Sequence, residues 1–158
     1  MGKAARCVTV TLENRVESMD VGEEIAHRLA GSAGFDEDER HKIGMSVREC
    51  LINALQHGNR GDTSKKIELR IALHSDRMEV QVTDQGRGFN PAAVPDPLAD
   101  EGLLKTSGRG IYLVRCFMDD LKVESGRNGG TVVTLTKRYS PNNNGKAPGW
   151  KGEKERQQ

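Results

Sequence analysis

Paired cysteines, an excess of either charge and a long apolar run are all missing from this chain of 158 residues. The three cysteines, Cys7, Cys50 and Cys116, are widely spaced and form no CxxC pair. This spacing argues against a disulfide framework and against a zinc site. Cys50 and Cys116 fall within apolar helical patterns, so we expect both to pack in the core.

The charges are balanced, because 24 Lys and Arg residues stand against 23 Asp and Glu residues. A protein that binds nucleic acid or an acidic membrane usually carries a basic surplus, so we expect neither partner here. No apolar stretch approaches the length that spans a bilayer, and the first residues lack the apolar run of a signal peptide. The sequence therefore favours a cytoplasmic protein.

The apolar periodicity predicts helices followed by strands. The expected elements are an edge strand at 7–12, a helix at 18–30, a helix from Asp36 to Gly58, a hairpin of strands at 67–73 and 78–82, a helix at 108–117, and a strand pair at 120–124 and 131–137. This order predicts an α+β fold, a two-layer sandwich whose mostly antiparallel mixed sheet is covered on one face by helices.

The apolar stripes of the first two helices can be assigned from residue spacing. The first stripe is expected at Val21, Ile25 and Leu29, and the second runs along Ile43, Val47, Cys50, Leu51 and Ala54. Residues 90–107 contain three prolines and little periodicity, which is typical of a lid or binding loop. Residues 141–158 read as a disordered tail that holds the only tryptophan, Trp150.

Glu49 and Asn53 lie four residues apart on the second helix and therefore stack on one face. They flank the apolar stripe, at the rim of the core. A carboxylate and an amide oxygen there suit Mg²⁺ with mostly water ligands, or the carboxylate could accept a proton from an attacking hydroxyl. The alternative is a pair of solvated polar residues with no special role.

Asp84 continues the inward-facing alternation of Met78, Val80 and Val82. A buried carboxylate needs a partner, and at a strand end it can accept hydrogen bonds from an adenine amino group. Gly86 and Gly88 follow at once and permit positive φ and close backbone approach. An ordinary turn is the alternative for this segment.

Thr131 begins the last strand and points inward by the same alternation, so its hydroxyl needs a partner. Asp84 or a base edge is a suitable one. Since Thr also favours strands for its own sake, its presence here has an equally simple structural explanation.

The segment Gly108-Arg109-Gly110 opens a helix after the long loop. Backbone N–H groups at such a helix start, unshielded by side chains, bind phosphate well. Lys105, Thr106, Ser107 and Arg109 surround it with further donors; a flexible helix start is the alternative. Neither a Walker A loop nor a Rossmann fingerprint occurs in the chain.

Three motifs together resemble the N, G1 and G2 boxes of the GHKL ATPases, which include gyrase B, Hsp90, histidine kinases and MutL. They are Glu49-x-x-x-Asn53, Asp84-x-Gly86-x-Gly88-Phe89 and Gly108-x-Gly110. Within that superfamily, three segments resemble the anti-sigma-factor serine kinases of the RsbW and SpoIIAB type. They are Asn53-Ala-Leu-Gln-His-Gly-Asn59, Gly88-Phe-Asn-Pro91 and Ser107-Gly-Arg-Gly-Ile-Tyr-Leu-Val114. The resemblance implies a Bergerat ATP-binding fold, with a histidine-kinase-like ATPase domain at residues 1–140.

The resemblance also implies roles for the matched residues. Glu49 would be the general base and Asn53 would bind Mg²⁺. Asp84 would hold the adenine amino group with Thr131 nearby, and Gly86 and Gly88 would shape that pocket. Gly108 and Gly110 would meet the phosphates of ATP under a lid at about residues 91–107.

Relatives of this type sequester a sigma factor and phosphorylate a serine or threonine on a STAS-domain anti-anti-sigma protein, and they are often homodimers. One departure is the first helix, which carries Asp20, Gly22, Glu23 and Glu24 where relatives often present basic or apolar residues to partners. The alternatives are a stand-alone serine kinase or nucleotide-gated regulator of a STAS protein without sigma-factor binding, and a histidine-kinase catalytic domain.

Overall fold

The computed structural model describes residues 6–88 and 110–139. Each predicted element is found, and the ends differ from the expected ones by one or two residues where both are described, with one exception. The second helix was expected to run to Gly58, but it is α-helical only to Asn53 and continues as a π-helical turn. The elements in chain order are β1 (Arg6–Glu13), α1 (Glu17–Ser32), α2 (Glu37–Asn53), a π-helical turn (Ala54–Gly58), β2 (Lys66–Leu73), β3 (Arg77–Asp84), α3 (Gly110–Phe117), β4 (Asp120–Ser125) and β5 (Thr131–Arg138).

The strands form one five-stranded sheet in the order β1-β2-β3-β5-β4. Every pairing between described strands is antiparallel, and β1 lies at an edge as expected. Alternate side chains of β2 and β3 are buried beneath the helices. The predicted α+β architecture of two layers is therefore confirmed, and it places the end of β3 beside the end of α2.

Helix α2 follows the sequence prediction closely. Asp36 caps its first turn, because the Asp36 Oδ1 atom accepts a 2.8 Å hydrogen bond from the Glu39 N–H group. The whole predicted stripe from Ile43 to Ala54 is buried. Among the described residues, no helix is both long enough and apolar enough to cross a membrane.

The apolar stripe predicted for α1 was only partly right, because Ile25 and Leu29 are partly buried against the core but Val21 is not. Val21 is 50% exposed, whereas the buried residues of this helix are Met19, Gly22, Ala26 and Ala30. Small side chains let α1 approach α2 closely, so that Gly22 lies against the Leu51 side chain. The buried face of α1 is the one that permits a short distance between α1 and α2. The periodicity of large apolar residues does not indicate that distance.

The acidic residues of α1 hold the two helices together. Arg48 of α2 forms ion pairs with both Asp20 and Glu23, the latter at 3.0 Å. These carboxylates are therefore partly engaged within the chain.

The core prediction for the cysteines was half right. Cys50 is buried as expected, but Cys116 is exposed. Helix α3 spans only eight residues and turns Ile111 and Val114 inward, which leaves Cys116 on its solvent side. Burial and, to a lesser degree, the charge of Glu49 raise the pKa of the Cys50 thiol to about 12.

Candidate nucleotide site

Asp84 is the last residue of β3 and is only 7% exposed, as its position in the strand predicted. Its Oδ1 atom accepts hydrogen bonds from the Gly86 N–H group at 2.9 Å and from the Thr131 N–H group at 3.1 Å. Both hydrogen bonds that described residues give to this carboxylate reach the same oxygen. The Oδ2 atom therefore keeps its capacity to accept a proton donor from a ligand.

The electrostatic state of Asp84 reflects its burial. Desolvation raises the pKa of this carboxyl group above its usual value. The hydrogen bonds from Gly86 and Thr131, and the positive charge of Lys65, act in the opposite direction. A desolvated carboxylate with one fixed and one available oxygen is a strong and directional hydrogen-bond acceptor.

Main-chain atoms form the walls around this carboxylate. A side chain at Gly58 would overlap the Asp84 Oδ2 atom, and a side chain at Gly86 would overlap the Gly58 carbonyl oxygen. The backbone of Gly130 lies equally close to the Asp84 carbonyl oxygen. Three glycines, from the π-helical turn, from the end of β3 and from the turn before β5, therefore surround Asp84 with main-chain atoms.

Positive φ and close backbone approach were both predicted for Gly86 and Gly88, and both features occur in this segment. Gly88 has a φ of +72°, the left-handed conformation that glycine adopts without strain. Gly86 serves instead through close approach, because its backbone packs on that of Gly58.

Thr131 lies beside Asp84, but the observed contact differs from the expected one. The backbone N–H group of Thr131, and not its hydroxyl, donates to the carboxylate. Any residue except proline offers that N–H group, so this contact by itself does not require threonine.

Glu49 and Asn53 lie on the last turn and a half of α2, directly before the π-helical turn. Glu49 is half-buried, whereas Asn53 is only 8% exposed and is engaged in an interaction within the chain. The π-helical turn that follows Asn53 ends at Gly58 beside Asp84. Asn53 is therefore five residues from Gly58 in the chain, and Gly58 lies beside the buried Asp84 carboxylate.

Gly110 is the first described residue after the long loop, and it is buried at the start of α3, which packs on α2. The predicted phosphate-binding residues Lys105, Thr106, Ser107, Gly108 and Arg109 lie outside the described residues, as do Phe89, the lid at 91–107 and the tail at 141–158.

The residues present fit ATP at the base and offer suitable donors for Mg²⁺. The Oδ2 atom of Asp84 accepts no hydrogen bond from the described residues and is a suitable acceptor for the amino group of a base. Within residues 6–88 and 110–139, no cluster of three His, Cys, Asp or Glu side chains could hold a metal ion. Mg²⁺ typically uses one or two protein oxygens together with substrate phosphates, for which Asn53 and Glu49 provide the donor types.

Three residues of this site were missed from the sequence. Gly58 was expected only to end a helix, Gly130 only to form a turn, and Asn59 was given no role of its own. The fully buried Asn59 comes directly after the π-helical turn that ends at Gly58. Such turns are frequent at functional sites but have no sequence pattern of their own. The pair Gly129-Gly130 directly before a strand was the one signal available.

A two-layer fold of helices on an antiparallel sheet, with a buried carboxylate among glycines at a strand end, is compatible with the class of nucleotide-binding ATPase domains. Comparison with known proteins specifies that class further. Residues 12–137 match the family model described as the histidine kinase-like ATPase domain.

Several curated relatives are similar over most of their length. The serine-protein kinase RsbW of Bacillus velezensis is 31% identical over 121 residues, which cover 69% of this chain and 71% of the relative. The RsbW kinase of Bacillus subtilis is 29% identical over 121 residues with the same coverage. That of Listeria monocytogenes is 24% identical over 136 residues, covering 82% and 85%.

Solved structures agree on the fold. The structure of the RsbU and RsbW domains of Rv1364c from Mycobacterium tuberculosis has a TM-score of 0.59 at 20% identity and covers 84% of this chain and 32% of that one. The mycobacterial sensor histidine kinase MprB has a TM-score of 0.50 at 18% identity, covering 83% and 97%.

The chain belongs to the histidine kinase-like ATPase domain family and groups within it with the RsbW serine-protein kinases. The resemblance inferred from the three motifs is thereby confirmed. Membership in an ATPase domain family implies ATP binding.

Proposed function

We propose that this chain is an ATP-dependent serine/threonine protein kinase that acts as an anti-sigma factor. The observation that carries the proposal is the buried Asp84 carboxylate, with one oxygen held by main-chain N–H groups and the other available to a base. The similarity to RsbW serine-protein kinases supports both the reaction and the regulatory role.

In this proposal the Asp84 Oδ2 atom accepts a hydrogen bond from the adenine amino group, and Gly86, Gly88 and Thr131 line the base pocket. Gly108 and Gly110 offer N–H groups to the phosphates, with Lys105, Thr106, Ser107 and Arg109 as further donors. Residues 91–107 act as the lid, and the ATPase domain spans residues 1–140. The burial of Asp84 and its adjoining glycines supports this assignment.

Asn53 would hold Mg²⁺ together with the phosphates of ATP. The ion supplies neutralisation of the charge that develops on the transferred phosphoryl group. The position of Asn53, low in exposure and next to the π-helical turn, supports this role.

Glu49 is the proposed general base. A serine or threonine hydroxyl of the substrate forms a bond to the γ-phosphorus, the bond from that phosphorus to the ADP oxygen breaks, and Glu49 accepts the hydroxyl proton. Its half-buried position, one turn before Asn53, lets it lie next to both the nucleotide and solvent.

The Glu49→Gln variant tests this role because it removes the proton acceptor while it preserves the size of the side chain. We expect phosphate transfer to a STAS-domain antagonist to slow by about 100-fold or more, with ATP affinity nearly unchanged. Glu68→Gln, at an exposed position of β2, is the matched control and should transfer phosphate at the wild-type rate. Transfer by Glu49→Gln at the wild-type rate would remove Glu49 from the mechanism.

The proposed partners are a sigma factor and a STAS-domain anti-anti-sigma protein, and the proposed assembly is a homodimer. Phosphorylation adds roughly two negative charges to the antagonist and can disrupt its interface with the kinase. Affinity capture from the source cell, once with ATP and Mg²⁺ and once with ADP, tests the partners. A sigma factor among the captured proteins supports the full proposal, and a STAS protein alone supports a kinase that regulates another process. Sedimentation equilibrium of the purified chain tests the dimer.

A further inference from the structure

The side chain of Asn59 is completely buried and makes three hydrogen bonds. Its Nδ2 group donates to the Asn14 Oδ1 atom at 3.1 Å and to the Lys66 carbonyl oxygen at 3.0 Å. Its Oδ1 atom accepts from the Gln85 N–H group at 2.8 Å. This set joins four separate parts of the chain at one amide: the end of β1, the π-helical turn, the start of β2 and the end of β3.

Only asparagine satisfies these partners. The backbone N–H group of Gln85 can only donate and the carbonyl oxygen of Lys66 can only accept, so the orientation of the Asn59 amide is fixed. An aspartate would place an oxygen against the Lys66 carbonyl, and an aliphatic residue would leave buried polar groups without partners.

Asn59 reaches the base pocket from two directions. Through its side chain it holds the N–H group of Gln85, the residue that follows Asp84. Through the main chain it follows Gly58, whose backbone packs against the Asp84 carboxylate. The backbone N–H group of Asn59 also donates to the Ala54 carbonyl oxygen at 2.7 Å and so closes the π-helical turn.

We propose that Asn59 is a positioning residue that fixes the Asp84 carboxylate relative to the π-helical turn and thereby sets recognition of the base amino group. It acts through Gln85 and Gly58 and touches neither the substrate nor the reacting atoms. This inference rests on the proposed function, in which Asp84 receives the amino group of adenine.

The test compares two nucleotides, ATP and purine riboside triphosphate, which lacks the 6-amino group. For the wild-type chain we expect the affinity for ATP to exceed that for the analogue by about tenfold to a hundredfold, the usual effect of a hydrogen bond to a charged group. In Asn59→Ala this ratio should fall by about tenfold, because the contact that anchors Gln85, and with it the position of the adjoining Asp84, is lost. Calorimetry gives both affinities.

Asn14→Ala is the matched control. Asn14 is 2% exposed, accepts from Asn59, and donates to the Asp62 carbonyl oxygen. Its removal damages the same network but leaves the contact between Asn59 and Gln85 in place. We expect lower stability with a nearly unchanged affinity ratio.

A loss of stability alone would weaken both nucleotides equally and leave the ratio unchanged, which would overturn the proposal. Asn59→Ser, measured at low temperature, provides the same readout if Asn59→Ala does not fold. If the wild-type chain itself bound both nucleotides equally, the assignment of Asp84 to the amino group would fail instead, so the two failures are distinguishable.

Discussion

At the scale of single residues, the site depends on one carboxylate whose two oxygens have different environments. The Oδ1 atom of Asp84 is held by the N–H groups of Gly86 and Thr131, whereas Oδ2 faces the backbone of Gly58. Burial of such a group opposes folding unless its partners compensate, and here the pKa of Asp84 remains raised by desolvation. Function and stability of the ligand-free protein therefore have opposing requirements at this position.

The Asp84→Asn variant should separate these requirements. The amide oxygen can still accept from Gly86 and Thr131, but an amide nitrogen replaces the oxygen that faces the base. We expect ATP affinity to fall by about tenfold to a hundredfold. Asp76→Asn, in the exposed turn at the other end of β3, is the control and should bind ATP as the wild-type chain does.

The stability of Asp84→Asn should depend on pH in a defined direction. Because the folded-state pKa of Asp84 is raised, the contribution of this group to stability is greatest below its unfolded value, near 3.8, and is lost as the pH rises through the folded-state pKa. The variant, which does not titrate there, should melt higher than the wild-type chain at pH 7 without ligand. This advantage should shrink as the pH approaches 4; an advantage that grew on acidification would contradict the assignment.

At the scale of secondary-structure elements, the π-helical turn Ala54–Gly58 connects the helix layer to the sheet. It continues α2 without a break and brings the backbone of Gly58 against the end of β3. A wider turn, closed by i→i+5 hydrogen bonds, extends the helix end toward the strand. The surroundings of the Asp84 carboxylate therefore depend on how α2 ends.

The Gly58→Ala variant should affect this junction directly. Its methyl group would overlap the Asp84 carboxylate, which is held on its other side by two hydrogen bonds. We expect ATP affinity to fall by about tenfold or more and the free energy of unfolding to fall by roughly 1–3 kcal/mol, as for other overpacked sites. Calorimetry and urea denaturation provide the two measurements.

Gly44→Ala on the same helix is the matched control. A methyl group there would make ordinary contacts with the Glu23 and His27 side chains, at 3.4 Å and 3.9 Å. Because alanine favours a helix interior over glycine, this variant should gain about 0.5–1 kcal/mol of stability and bind ATP normally. Equal loss of ATP affinity in both variants would show that the end of α2 has no special role.

At the scale of the whole molecule, the two layers divide the side chains into a buried set and an exposed set. The reactivity of the three cysteines can be used to measure that division. Cys50 lies in the core beneath α1, whereas Cys7 and Cys116 are exposed. Thiol reactivity requires the thiolate, and the pKa of about 12 keeps Cys50 protonated at neutral pH.

An aromatic disulfide reagent should therefore modify two thiols rapidly in the folded chain and the third only on unfolding. With a typical stability of about 5 kcal/mol or more, Cys50 should react at least about 1,000-fold more slowly than the exposed pair. Absorbance of the released thiolate counts the reacted groups. Immediate modification of all three thiols in the folded chain would contradict the burial pattern. So would a chain unfolded in urea in which one thiol still failed to react.

The extent to which this architecture can be predicted from the sequence varies from element to element. Strand alternation located Asp84 on the buried face, and the apolar stripe of α2 was correct along its length, since large side chains there both mark and fill the core. The same rule was only partly right for α1, whose most buried positions include small residues such as Gly22 and Ala26. Two helices can approach closely only where side chains are small, and the periodicity of large apolar residues does not indicate where that occurs.

The burial of Asp84 could be predicted from the sequence, but its contacts could not. Asp84 and its glycines could be located by sequence, because strand parity and glycine spacing are local properties. The approach of Gly58 and the anchoring of Gln85 by Asn59 depend on a π-helical turn and on contacts between residues 26 positions apart in the chain. Sequence patterns do not encode these tertiary distances.

The glycine walls of the base pocket have a consequence for chemical genetics. A kinase is often made sensitive to an enlarged nucleotide analogue by trimming a bulky side chain beside the base, which creates a complementary hole. At Gly58, Gly86 and Gly130 the wall consists of main chain, so it has no side chain to trim. If Asp84 receives the base amino group as proposed, an orthogonal nucleotide would be matched at this wall by a change of hydrogen-bond donor and acceptor at Asp84 rather than by a change of size.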